Sequence, residues 1–230
     1  MKAVLHQPYY LPYPGFFHKI TLGDVFVIMD DVQYDERFTN RNRIISTHGY
    51  TRINVPIHKE DRFKPNMEVR INNELSWRDK HWSKISHSYQ KSKFFHLYSK
   101  YFESLYKKEW DYLFDLDFET VKQIFKWLDI DIDIIRESEL GITSKSTQRI
   151  VDVCKKIGAD TFVSGVGGKN YMDETLFEKS NLKLEYQQYT HPKYPQHWSS
   201  EFVPDLSIID MLSNIGPDTI KVLKGQLTFD

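Results

Sequence analysis

Cysteine is almost absent from this chain, with one residue, Cys154, in 230. A single thiol forms no internal disulfide, and a reducing cytoplasm is the expected setting. Long apolar runs are missing too. None approaches the roughly 20 residues that cross a bilayer as a helix, and the opening Met1-Lys2-Ala3-Val4-Leu5 is too short for the apolar core of a signal peptide. Neither sign of charge is in excess: 31 Lys and Arg against 32 Asp and Glu leave a net -1. That excludes the broad basic surface of a protein that tracks extended nucleic acid or lies on anionic lipid. His-Glu-x-x-His, Cys-x-x-Cys and Gly-x-Ser-x-Gly do not occur, so a metalloprotease, a structural zinc site and a hydrolase elbow have no support. Repeats, low-complexity tracts and an obvious linker are equally lacking, and a single α/β domain over 1–230 is expected.

Aromatic residues, by contrast, are abundant: 14 Tyr, 15 Phe and 5 Trp make up 15% of the chain. Trp82, Ile85 and Tyr89 recur at spacings of three and four within 77–92. Phe94, Tyr98, Tyr101, Phe102 and Leu105 do so within 94–107. Both stretches read as helices whose aromatic stripes are packing surface, although a stacking surface for a glycan or nucleotide stays open. Ala3-Val4-Leu5 reads as a strand that stops at His6-Gln7-Pro8 and enters a proline-stiffened loop ending at Pro14-Gly15. Phe16, Phe17 and Ile20 then share a helix face, and Val25-Phe26-Val27-Ile28-Met29 is the continuous apolar run of a central parallel strand. Residues 50–56 alternate as a half-buried strand, 118–128 read as a helix and 132–135 as a short strand. Ser146 is placed to cap a helix with Ile150, Val153, Cys154 and Ile157 inside, and strand Thr161-Phe162-Val163 follows. Ser207 with Asp210 opens a last helix that stops at Gly216-Pro217. The expected fold is α/β: a mainly parallel sheet with flanking helices and an aromatic-rich helical insertion.

Four segments carry polar groups suited to chemistry. His6 and Gln7 end the first strand, with Tyr10 in the loop beyond and His18 and Lys19 on the following helix. Parallel α/β sheets bind ligands beyond the carboxyl ends of their strands, where imidazoles can move protons or meet developing charge. The alternative is a proline-rich turn with two ordinary histidines. Asp30, Asp31 and Gln33 end the second strand, followed by Asn40, Arg41, Asn42 and Arg43. Carboxylates there suit Mg2+ or a hydroxyl-bearing ligand and arginines suit phosphate, unless the segment is a surface acidic loop paired with basic neighbours. Ser164, Gly165, Gly167, Gly168 and Tyr171 lie in a glycine loop straight after a strand, where successive N–H groups can point at an anion or simply make a tight turn. His191, Tyr194 and Gln196 sit between prolines in a rigid loop, for orientation of substrate or for structure alone. Because His6, Asp30 and Ser164 each directly follow an apolar strand, these segments are expected to converge on one cleft at the sheet's carboxyl edge.

The same segments carry a family likeness. His6-Gln7-Pro8, Tyr10-Leu11-Pro12, Gly15-Phe16-Phe17 and Lys19-Ile20 resemble the opening signature of the WbqC-like proteins of bacterial surface-polysaccharide gene clusters. Asp31-Val32-Gln33-Tyr34, Asn40-Arg41-Asn42, the Ser164–Tyr171 loop, Tyr194-Pro195-Gln196 and the stretch Phe202–Asp210 are similar to its later blocks. The resemblance implies a cytoplasmic enzyme of O-antigen biosynthesis, with transfer of glycine or another small acyl group onto an amino sugar or nucleotide-linked sugar. A second likeness, to the HIGH-signature nucleotidyltransferases, lies in the amino-terminal strand, loop and histidine-bearing helix, and in the Ser/Thr-rich helix start Ser144–Arg149. The His-x-Gly-His tetrad itself is absent. That likeness implies ATP and Mg2+ with an adenylate intermediate. His6 and His18 would then serve phosphoryl transfer, and Ser146, Thr147, Arg149 and the glycine loop would hold phosphates. Asp30 and Asp31 would bind Mg2+ or orient the sugar. Transfer from a pre-activated donor without ATP, or a non-catalytic glycan-binding or assembly factor, are the alternatives.

Overall fold

A computed structural model describes residues 1–198 and 201–229. Seven strands form, in chain order β1 (Lys2–His6), β2 (Val25–Ile28), β3 (Arg41–Ser46), β4 (Gly49–Asn54), β5 (Asp133–Arg136), β6 (Thr161–Ser164) and β7 (Lys183–Tyr186). The helices are α1 (Pro14–Ile20), α2 (Trp77–Tyr89), α3 (Ser99–Lys107), α4 (Leu113–Trp127), α5 (Ser146–Lys156), α6 (Glu174–Lys179), α7 (Ile208–Ile215) and α8 (Thr219–Leu223).

Five strands make one parallel sheet in the order β5-β2-β1-β6-β7, and β3 and β4 form a separate antiparallel hairpin. The sheet is apolar on both faces. Val4, Phe26, Ile28 and Val163 point into a core shared with Phe16, Phe17 and Ile20 of α1 and with the aromatic helices. Ala3, Leu5, Val25, Val27 and Phe162 point into a second core made with Ile150, Val153 and Cys154 of α5 and Phe177 of α6. Side chains alternate across a strand, so only a run apolar at every position can feed two cores at once. The helical faces read from the sequence therefore bury as expected.

Several boundaries differ. The helix read over 77–92 ends at Tyr89, and that over 94–107 begins at Ser99 after a short 3-10 turn at Phe95–Leu97. α4 starts at Leu113, five residues before the position that periodicity gave. Ser146 does not cap α5: it is the first helical residue, and the preceding Lys145 makes no side-chain cap. Ser207 does cap α7, accepting from Ile209 N–H, and Gly216 ends it at a φ of 57°. Strands β3 and β7 have no counterpart in the pattern reading, because each owes its state to a neighbour: β3 to β4 across the hairpin, β7 to β6 at the sheet edge. Among the described residues no helix is long and apolar enough to cross a membrane.

Candidate functional site at the carboxyl edge of the sheet

Numbered within the sheet, the strands run 3-2-1-4-5, so the order reverses between β1 and β6. Helices leave those two carboxyl ends in opposite directions and open a crevice there, the usual ligand site of doubly wound sheets. His6 ends β1 and Ser164 ends β6.

His6 is held by its neighbours. Its ring packs edge-on against Tyr9 and Phe16, with centroids at 4.5 and 4.8 Å, and Nδ1 lies 2.9 Å from the Gln7 carbonyl. Burial, with the nearby Lys19 charge adding to it, pushes its pKa well below that of a free imidazole. The ring is therefore neutral, Nδ1 donates to Gln7, and Nε2 carries the lone pair. His18 is arranged the other way round. The Gln187 amide nitrogen donates to the Gly15 carbonyl at 2.8 Å and to His18 Nδ1 at 2.8 Å, which leaves the His18 proton on Nε2. Burial lowers its pKa as well. One imidazole thus offers an acceptor and the other a donor.

Lys19 is the exceptional group. It is 5% exposed, and its ammonium donates to the Leu5 carbonyl at 3.0 Å without a carboxylate beside it. Burial lowers its pKa from 10.5 to about 7. A Cβ placed on Gly165 would lie 4.0 Å from Lys19 Nζ and from Gln187 Oε1, so the ammonium sits directly beneath the start of the glycine loop. A buried amine without a counter-ion costs stability, and such groups concentrate where chemistry needs them.

Beside His6 a cavity of about 580 Å³ opens towards the hairpin. His6, Tyr9, Tyr13 and Phe38 form its aromatic side; Arg37, Arg41, Asn42, Arg43 and Arg52 form a basic wall, with Asp205 as the lone carboxylate. Arg37 is held by Asp35 through Nε and Nη2. Arg41 donates to the Arg37 carbonyl. Arg43 lies over the Tyr50 ring at 4.7 Å and stands directly opposite Arg52 across the hairpin.

Other predicted residues are occupied elsewhere. Asp30 is fully buried and accepts from Arg136 Nε at 2.8 Å and from the Ser138 backbone and hydroxyl at 2.9 and 2.8 Å. Arg149 binds Asp31 at 2.9 Å and also Glu137, a fixed ion triad instead of a phosphate arm. With both carboxylates so engaged, the Asp30–Asp31 pair does not fit Mg2+, and among the described residues no three His, Cys, Asp or Glu are grouped to hold a metal ion. Ser146 is exposed on its helix start, while Thr147 accepts from the Asp173 N–H at 3.1 Å. Tyr10 is a core residue, its hydroxyl shared with His81 at 2.9 Å and with Tyr106. Asn40 donates to the Val55 carbonyl at 2.8 Å, and Asn42 to the Leu11 carbonyl at 2.6 Å, so both brace loops. Tyr194 and Gln196 donate to the buried Asp210 at 2.9 and 2.8 Å, which gives that loop a structural purpose. His191 bonds its neighbour Pro192, and Gln33 is exposed.

The glycine loop is a 3-10 turn over Val166–Asn170, with Gly168 N–H closing on the Gly165 carbonyl at 3.0 Å. Gly168 is packed against Ser164 Oγ and Met172, whereas Gly167 and Tyr171 face solvent. The structure therefore brings together His6, His18, Lys19 and Gly165 at the switch point, with Arg41 and Asn42 on the cavity wall. The acidic pair, Thr147 and Arg149 lie with other partners, and Ser146 is exposed. Sequence reasoning missed Gln187, Tyr9, Tyr13, Arg52 and Asp205. Arg52 was legible in principle: it alternates with Tyr50 and Asn54 on one strand face.

The chain is 27% identical to the uncharacterized protein Rv1507c of Mycobacterium tuberculosis over 226 residues, 97% of each chain. No solved structure matches it. The match to the WbqC-like protein family runs over residues 7–222, from the residue after His6 to the last helix, and the chain belongs to that family.

Proposed function

We propose that this chain is a transferase of surface-glycan biosynthesis that moves an activated aminoacyl or small acyl group onto the amine of a sugar substrate. The observation that carries this reading is His6: a neutral imidazole with its free Nε2 at the wall of a basic cavity and a buried amine, Lys19, close behind it. The sugar nitrogen attacks the acyl carbon, and the new C–N bond forms as the bond to the leaving group breaks. His6 Nε2 takes the nitrogen's proton and returns it to the leaving group. Lys19 adds positive potential where charge develops on the acyl oxygen. The donor arrives activated on this reading, because Asp30, Asp31 and Arg149 are paired with protein groups. The glycan setting rests on family membership.

The test is amide formation followed by mass spectrometry, with amino-sugar nucleotides as acceptors and either acyl thioesters or an amino acid with ATP as donor. Product from the thioester with wild type, and none with His6→Ala, is the expected result. Product only in the presence of ATP would replace this reading with one in which the chain activates its own acid.

A further inference from the structure

Arg43 and Arg52 are direct cross-strand neighbours. Like charges in that position repel, and sequences ordinarily avoid it. Among the described residues neither guanidinium is ion-paired, and the Arg41 side chain, on the same face, bonds only the Arg37 carbonyl. Three arginines without an ion pair among the described residues thus share one strand face and one cavity, while Asp35 orients Arg37 beside them and also attracts Arg41. Planar guanidiniums at that spacing match several phosphate oxygens at once. The rest of the lining has a different character. The Tyr9 and Phe38 rings lie 5.4 Å apart, tilted by 33°, and Tyr13 adds a third ring to a space of about 580 Å³. Asp205 is the one negative group on the wall; its backbone is held at a φ of 58°, and it forms no ion pair among the described residues.

We propose that the cavity recognises the acceptor as a nucleoside-diphosphate amino sugar, with the diphosphate on Arg41, Arg43 and Arg52, a ring against the aromatic side, and the sugar ammonium facing Asp205. This rests on the transfer reading above and names its substrate class. The charges fit: cationic groups face the diphosphate, and one carboxylate faces the sugar ammonium, which releases one proton to solvent to become the attacking amine before His6 takes the second as the C–N bond forms. A polyprenyl diphosphate shares the anion but would need an apolar channel where this cavity has arginines and tyrosines.

The test is calorimetric binding to the full chain at fixed ionic strength. The ligands are nucleosides and their diphosphates in the adenosine, guanosine, uridine and thymidine series, plus farnesyl diphosphate. At least one nucleoside diphosphate should bind roughly tenfold or more tightly than its nucleoside, and Arg52→Gln should remove most of that gain. UDP-glucosamine should bind more tightly than its N-acetyl counterpart, with the preference abolished by Asp205→Asn. Equal binding of nucleoside and diphosphate, tighter binding of farnesyl diphosphate, or an unaffected Arg52→Gln would each overturn the proposal. Binding is measured without turnover, so the two readings fail separately. An inactive His6→Ala chain whose wild type ignores the diphosphate sinks only this one; a diphosphate-binding chain whose His6→Ala form stays fully active sinks only the transfer mechanism.

Discussion

His6 is half-buried at the edge of the core, against Tyr9 and Phe16, so His6→Ala should stay folded with a modest loss of stability while turnover falls by about two orders of magnitude. His48→Ala, in the hairpin turn, serves as the control and should retain activity. A lower melting temperature with normal turnover would make His6 a loop brace instead. Lys19 leads to the opposite pairing of effects. Lys19→Met removes a buried amine and should stabilise the chain by ~1–4 kcal/mol while depressing activity, the exchange usual at functional sites. The pH dependence has a definite sign. The folded pKa is lowered from 10.5 to about 7, so between those values the unfolded chain holds a proton that the folded chain has released. Stability therefore rises with pH through that window, and the gain is missing below it. Urea denaturation at pH 6.5, 8 and 9.5 should show this rise in wild type and a flatter profile in Lys19→Met. Cys154 behaves as core: burial pushes its thiol up to about 12, and it packs against the sheet from α5. Thiol reagents should label it only on unfolding, and Cys154→Ser should cost about 1–3 kcal/mol with activity kept.

The hairpin of β3 and β4 is where an element departs from what stability alone would choose. Arg52→Gln should raise the melting temperature of the ligand-free chain by roughly 1–4 °C, since a repelling cross-strand pair is relieved. It is a cleaner probe than Arg43→Gln, which also gives up the contact over Tyr50. A drop in melting temperature would mean that the pair is already neutralised within the fold. The hairpin also marks the boundary of what local pattern reveals. β1 and β2 were legible because Ala3–Leu5 and Val25–Ile28 are unbroken apolar runs, a property that a two-sided core explains, and β6 because Thr161-Phe162-Val163 follows the helix stop at Gly158. Arg41-Asn42-Arg43 carries no such signal and read only as a segment with arginines suited to phosphate; it is a strand because Asn54, Ile53 and Arg52 pair with it. Helix ends drifted for a related reason. Periodicity locates the buried stripe of α4, but Asp117 interrupts it as a buried acid, and the start at Leu113 is set by its bond to the Val69 carbonyl.

Across the whole molecule, the candidate site was legible where topology places it and illegible where ion pairing decides. His6, Lys19 and Gly165 meet because parallel strands align their carboxyl ends, a consequence of the apolar runs. Asp30 and Arg149 carried the same residue-type signal, yet Asp30 is bound by Arg136, 106 residues on, and Arg149 binds Asp31, 118 residues back, and no spacing announces either pair. The chain between β2 and β5 contains both the hairpin and α2, α3 and α4. His6 thus sits on the sheet and Lys19 on the helix that follows it, whereas the arginines proposed to hold the diphosphate sit on an inserted block. Exchanging the hairpin arginines for other residues could retarget such an enzyme to a differently charged acceptor without disturbing the strand that ends in His6.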